Sequence, residues 1–92
     1  MKAYRFRQNN SGGWFYEPAI NVIVVAYNKD QAIDIAMQNG IYFHGVAMGK
    51  DCSCCGDRWS DPAEYDTKEQ AIEWSSGYAS EENIPKIVVY EL

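Results

Sequence analysis

The run Val22-Ile23-Val24-Val25-Ala26 constrains this chain more than any other stretch. Four β-branched residues in succession leave no polar face, so Ile20 to Tyr27 is expected to form a strand that is buried on both faces or central in a sheet. Ahead of it, Lys2 to Arg7 alternates, with Tyr4 and Phe6 on one side and Arg5 and Arg7 on the other, which is the pattern of a half-buried strand. Asn9-Asn10-Ser11-Gly12-Gly13 gathers residues that tolerate turns, and Trp14-Phe15-Tyr16 resumes the apolar run. A hairpin with a longish loop is predicted, with Pro18 at a bulge or an edge because it has no N–H to donate.

Two helices follow from capping chemistry. Asn28 with Gln31 three residues later reads as a helix start, Ala32, Ile33, Ala36 and Met37 supply the buried stripe, and Gly40 supplies the stop. Thr67 and Gln70 repeat the pattern, with Ala71, Ile72, Ser75 and Tyr78 as the stripe and an end near Gly77. The two starts, Asn28-Lys29-Asp30-Gln31-Ala32-Ile33 and Thr67-Lys68-Glu69-Gln70-Ala71-Ile72, align closely, as short capped amphipathic helices tend to. Between the helices, Ile41 to Met48 is predicted as a strand and residues 49–66 as a polar loop, with a short strand around Arg58 to Ser60. Lys86 to Leu92 closes the chain as a strand.

The predicted class is α+β: a single domain over residues 1–92, a two-layer sandwich with both helices on one face of a mostly antiparallel sheet of four to five strands. A ferredoxin-like core with an added N-terminal strand is the preferred version, and a simpler four-stranded sheet with the cysteine loop as an unstructured insertion is the alternative. At 92 residues the chain has room for one core. A margin that slim is often supplemented by a homo-oligomer or a metal.

The charge excludes some partners. The net charge is −5, and ten of the thirteen acidic residues fall after position 45. Such a surface repels phosphate backbones, which disfavours nucleic acid. No secretory leader pattern is present and no apolar run nears the ~20 residues of a membrane span, so a cytoplasmic location is expected. Three cysteines within four positions are not the spread, even set of a secreted disulfide scaffold and read as thiols or thiolates.

Asp51-Cys52-Ser53-Cys54-Cys55-Gly56-Asp57-Arg58-Trp59 is the one stretch that core packing does not account for. Cys52, Cys54 and Cys55 with His44 form a Cys3His inventory suited to zinc, although Cys-x-Cys-Cys is not the usual Cys-x2-Cys hook. A thiol enzyme using Cys54 or Cys55, Arg58 as the nearby cation and His44 as base is a thinner reading, since Asp51 and Asp57 oppose a thiolate. An echo of a calcium loop in Asp51, Ser53, Gly56 and Asp57 fails where Pro62 replaces the closing Glu. The favoured reading is a non-enzymatic binding loop of Cys54, Cys55, Gly56, Asp57, Arg58 and Trp59. There Arg58 beside Trp59 suits a small anionic ligand or a protein partner. Against it stands a structural role, in which Arg58 pairs with Asp57, Asp61 or Glu64 and Trp59 caps the core. Trp14 and Trp74 are assigned to the core or a sheet face.

Cys52-Ser53-Cys54-Cys55-Gly56-Asp57-Arg58-Trp59, preceded by Gly40-Ile41-Tyr42-Phe43-His44-Gly45-Val46, resembles a family of small tailed-bacteriophage proteins of unassigned activity. The resemblance covers about residues 22–60. It implies a phage-encoded accessory protein in the bacterial host cytoplasm that binds a host protein, in host takeover or anti-defence. It brings no catalytic residues and no required cofactor, with zinc as the one cofactor the residues suggest.

Overall fold

The computed structural model describes residues 1–9, 15–75 and 84–91. Its elements are β1 (Lys2–Arg7), β2 (Asn21–Ala26), α1 (Lys29–Gln38), β3 (Ala63–Tyr65), α2 (Lys68–Ser75) and β4 (Ile87–Glu91). They form an α+β domain with one four-stranded sheet in the order β3-β1-β2-β4. β1 is antiparallel to both β2 and β3, and β2 is parallel to β4. The sheet is therefore mostly antiparallel by pairing, and the β-branched run lies in one of its two central strands, as expected.

Side-chain alternation splits the core into two. Tyr4 and Phe6 lie opposite Val24 and Val22, and this face packs against Ala32 and Ala36 of α1, together with Ile41 and Trp59. Ala3 and Ile23 point the other way and pack against Ala71 of α2, flanked by Ile72, Ile87 and Val89. The two helices thus cover opposite faces, not the single face expected. Alanine at each contact lets helix backbone approach the sheet closely.

The cause is topological. β2, β3 and β4 run in the same direction, so β2-α1-β3 and β3-α2-β4 are both crossover connections. The first travels across the sheet past β1, and the second returns past β1 and β2. Crossovers of one hand that travel in opposite directions must pass over opposite faces. A ferredoxin-like arrangement is excluded for the same reason, because the sequential hairpin β1-β2 occupies the centre.

Local chemistry sets the helix ends. Asn28 Oδ1 accepts the Gln31 backbone N–H at 2.8 Å, and Gln31 Oε1 accepts the Tyr27 N–H at 2.8 Å. α2 repeats this, with Thr67 Oγ1 accepting from Gln70 N at 3.2 Å and Gln70 Oε1 from Asp66 N at 3.0 Å. In both, the glutamine satisfies the residue before the cap, one position earlier than in the standard box. α1 stops where expected: Gly40 takes φ +97°, and Gly40 N and Ile41 N donate to Met37 O and Ala36 O. This is a Schellman closure whose apolar contact is the buried Ile41.

Ile41 to Met48 is not a strand. Gly40 and His44 both have positive φ, and Met48 N, Gly49 N and Lys50 N donate to His44 O, Val46 O and Gly45 O in successive turns. Those local bonds take the groups a strand would offer to a neighbour, overriding the β propensity of Tyr42, Phe43 and Val46. The long loop holds instead the short β3 and an isolated bridge between Gln8 and Trp59. Pro18 lies in the connection between β1 and β2, after a cis peptide bond, and not within a strand. Trp74 is 66% exposed on α2, not in the core. The expectations for Trp14, Gly77 and Tyr78 lie outside the described residues. No helix among the described residues is long and apolar enough to cross a membrane.

Candidate metal centre

The cysteine loop is gripped at its neck. Asp51 accepts the Tyr42 hydroxyl at 2.7 Å through Oδ1 and the Arg58 backbone N–H at 2.8 Å through Oδ2. Arg58 Nε stands 3.5 Å from Asp51 Oδ1, with the side chains 1% and 0% exposed. The main-chain bond at 2.8 Å is the short link of the pair, and the longer side-chain approach is a charge contact. Gly45 makes room for this carboxylate: a Cβ there would stand 1.7 Å from Asp51 Oδ2. Asp57 closes the other side, accepting the Val46 N–H at 2.9 Å.

Arg58 is thus a core residue. Its Nη1 donates to Gln8 Oε1 at 3.2 Å and Asn9 O at 3.4 Å, and its guanidinium carbon lies 3.7 Å from the centre of the Tyr16 ring. Trp59 beside it is 2% exposed. Neither presents itself to an incoming anion, so the structural reading of both holds, with Asp51 as the acidic partner where Asp57, Asp61 or Glu64 was expected. Burial of the Asp51 carboxylate against Tyr42 and Arg58 also removes it from any calcium loop.

Within the grip, Cys52 O accepts from Cys55 N at 3.2 Å and Gly56 N at 3.0 Å, and Gly56 takes φ +86° to complete the turn. This winding draws the three sulfurs to within 4.8 Å of one another. Cys52 Sγ lies 2.6 Å from Cys54 Sγ, and Cys54 Sγ lies 3.6 Å from Cys55 Sγ. None of the three is joined in a disulfide; Cys54 and Cys55 are exposed and Cys52 is half-buried. The S–H of Cys54 bonded to Cys52 holds the Cys52 thiol below its ordinary value, while the same contact and Cys55 push Cys54 up to about 11. Cys52 and Cys54 therefore titrate as a coupled pair, of which Cys52 ionises first.

Three thiols this close can hold a soft metal ion. Sulfurs at about 2.3 Å from zinc in a tetrahedral set stand about 3.8 Å apart. The Cys54–Cys55 separation is already near that value, and the Cys52–Cys54 pair would open by roughly 1 Å. His44 does not belong to the cluster. It is exposed and lines a cleft with Phe43, Asp57, Trp59, Ser60 and Asp61. The residues that build the site and escaped sequence reasoning are Tyr42, Gly45 and Gln8. Only Gly45 carried a signal, as a glycine inside an apparent strand.

Fold and site together define a small α+β domain that carries a cluster of three thiols, two of them exposed, on a buried charge clamp. A family model described as "Domain of unknown function (DUF7296)" matches residues 1–90, and the chain belongs to that family. No curated protein and no solved structure matches it.

Proposed function

We propose that this chain is a non-enzymatic binding domain whose Cys52, Cys54 and Cys55 take up a soft metal ion, zinc first, and present it on a loop to a partner protein. The observation that carries this is the convergence of three sulfurs within 4.8 Å on an exposed turn. Packing does not call for it: Cys54 and Cys55 are exposed, whereas cysteines that serve only as small apolar residues are usually buried. Zinc with three protein thiolates keeps a fourth position that a partner's side chain or water completes.

The resemblance of the Cys52–Trp59 motif to small tailed-phage proteins supports a setting in an infected bacterium, with a host protein as the partner. An anionic small ligand loses its main support with the burial of Arg58. A thiol-dependent enzyme is the second reading, favoured by the lowered pKa of Cys52. It is distinguished by selective alkylation that metal does not block.

Native mass spectrometry of protein purified under reducing conditions from a zinc-supplemented bacterial culture tests the proposal. One ion per chain, lost in acid and absent from Cys54→Ser, is the expected result. A metal-free mass that persists on titration with zinc would overturn it.

A further inference from the structure

The three sulfurs are not evenly spread. Cys52 Sγ lies 2.6 Å from Cys54 Sγ, whereas Cys55 Sγ stands 3.6 Å from Cys54 Sγ. A disulfide holds its sulfurs about 2.05 Å apart, so Cys52 and Cys54 need to close by roughly half an ångström to be joined. A metal ion asks the opposite of the same pair, because tetrahedral thiolates stand about 3.8 Å apart. The two chemistries pull one pair of sulfurs in opposite directions, and a sulfur tied in a disulfide is no longer a thiolate ligand.

The fold leaves this pair reachable and keeps the change local. Cys54 is exposed and Cys52 half-buried, so a small molecule can reach the pair. The turn that brings them together rests on main-chain groups, Cys55 N and Gly56 N donating to Cys52 O, and does not depend on the state of the sulfurs. The neck is anchored independently, by Asp51 accepting from the Tyr42 hydroxyl and the Arg58 N–H. Cys55 is the poorer partner for Cys54. Adjacent Cα atoms are about 3.8 Å apart, below the roughly 4.4 Å at which disulfides ordinarily begin.

We propose that Cys52 and Cys54 form a reversible dithiol–disulfide pair that exchanges with small disulfides and whose oxidation expels the metal ion. The expulsion rests on the metal reading above, whereas the exchange does not. The thiolate of one cysteine attacks a sulfur of the incoming disulfide, forming a mixed disulfide and releasing one small thiolate. The second cysteine, as thiolate, then attacks the protein sulfur of that mixed disulfide, which forms the Cys52–Cys54 bond and releases the second small thiolate. The two cysteines give up two electrons and the small disulfide is reduced to two thiols. From the metal-free dithiol two protons pass to those thiols, and from the loaded form the ion leaves instead. Cys55 alone remains, one thiolate where a zinc site needs at least three protein ligands.

Equilibration of the metal-free chain in graded mixtures of reduced and oxidised glutathione, with acid quenching, alkylation and peptide mass mapping, tests the exchange. A form two hydrogens lighter is expected, with Cys52 and Cys54 protected from alkylation and Cys55 modified. It should revert in excess reduced glutathione, persist in Cys55→Ser and be lost in Cys52→Ser. One equivalent of zinc should raise the oxidised-to-reduced ratio at the midpoint at least tenfold, and native mass spectra should show the oxidised chain free of zinc. A glutathione adduct that goes no further, or a disulfide through Cys55, would overturn the exchange. A chain that binds zinc yet oxidises at an unchanged ratio, or keeps zinc when oxidised, would overturn the expulsion and leave the metal reading standing. A chain that takes up no zinc but forms the Cys52–Cys54 bond reversibly overturns the metal reading and the expulsion together, and establishes the exchange alone.

Discussion

Asp51 and Arg58 sit seven positions apart and meet as buried charges at the neck of the cysteine loop, the carboxylate 0% and the guanidinium 1% exposed. The pair fixes where the loop leaves and rejoins the core. Because Arg58 also reaches Gln8 and Asn9, the clamp ties the loop to the end of β1. Burial of two charges stabilises little in itself, but removal of one strands the other.

Asp51→Ala is therefore expected to destabilise the domain by about 3–5 kcal/mol. Asp51→Asn should cost less, since it keeps acceptor capacity for the Tyr42 hydroxyl or the Arg58 N–H while losing the charge. Urea denaturation followed by far-UV circular dichroism measures both. Equal stability of Asp51→Ala and the parent would mean the pair is not buried in solution.

Gly45→Ala tests the same clamp from the opposite side. The added methyl would meet Asp51 Oδ2 at 1.7 Å and Tyr42 Cε2 at 2.8 Å. Overpacking of this severity should cost about 3 kcal/mol or more. Gly49→Ala has no such neighbour, but its φ of +77° brings a smaller penalty of about 1 kcal/mol. The denaturation midpoint of Gly45→Ala should therefore fall well below that of Gly49→Ala.

Cys52 and Cys54 should titrate in opposite directions from the ordinary value of 9.0. Cys52, held low by the Cys54 S–H, favours the folded state as a thiolate. That contribution is present above the ordinary thiol value and is lost as the pH falls through the lowered one. Cys54, raised to about 11, favours the folded state as a thiol, a contribution present below 9.0 and lost as the pH rises through 11. Mass-resolved iodoacetamide labelling of metal-free protein at pH 8 should modify Cys52 severalfold faster than Cys54. Cys54→Ala should slow Cys52 by removing its donor.

The matched helix starts predict matched losses. Asn28→Ala and Thr67→Ala should each cost about 1 kcal/mol, because each removes one acceptor for a backbone N–H in the first turn. Gln31→Leu and Gln70→Leu should cost about as much again, by freeing the N–H groups of Tyr27 and Asp66. Thermal melts of the four variants check this, and a loss confined to one helix would break the parallel.

Features set by near neighbours in the chain were legible in the sequence: the alternation in β1, the β-branched run in β2, both caps and the Gly40 stop. The side on which each helix lands was not legible. It depends on the direction of travel between β3 and β4, to which no local pattern points. Ile41 to Val46 misled because strand formers sit there for burial while the backbone is spent on turns. Arg58 misled for a related reason. An arginine beside a tryptophan looks like a contact surface until its acid partner is found, and Asp51 lies outside the usual helical spacings. The closeness of three thiols followed from their spacing, whereas the placement of His44 at a separate cleft depends on how the 41–48 turns fold back, which no local pattern carries.

The strand order also sets a timetable. The two central strands, β1 and β2, come from the first 26 residues, and both edges are added from residue 63 onward. As the chain leaves the ribosome, the hairpin that will be the middle of the sheet is available long before anything that flanks it. α1 can cover one of its faces at once, while the face carrying Ala3 and Ile23 stays wet until α2 is made. The order of synthesis thus supplies a helix to one face of the central hairpin before the other, and the face carrying Ala3 and Ile23 depends for its cover on segments made last, α2 and β4.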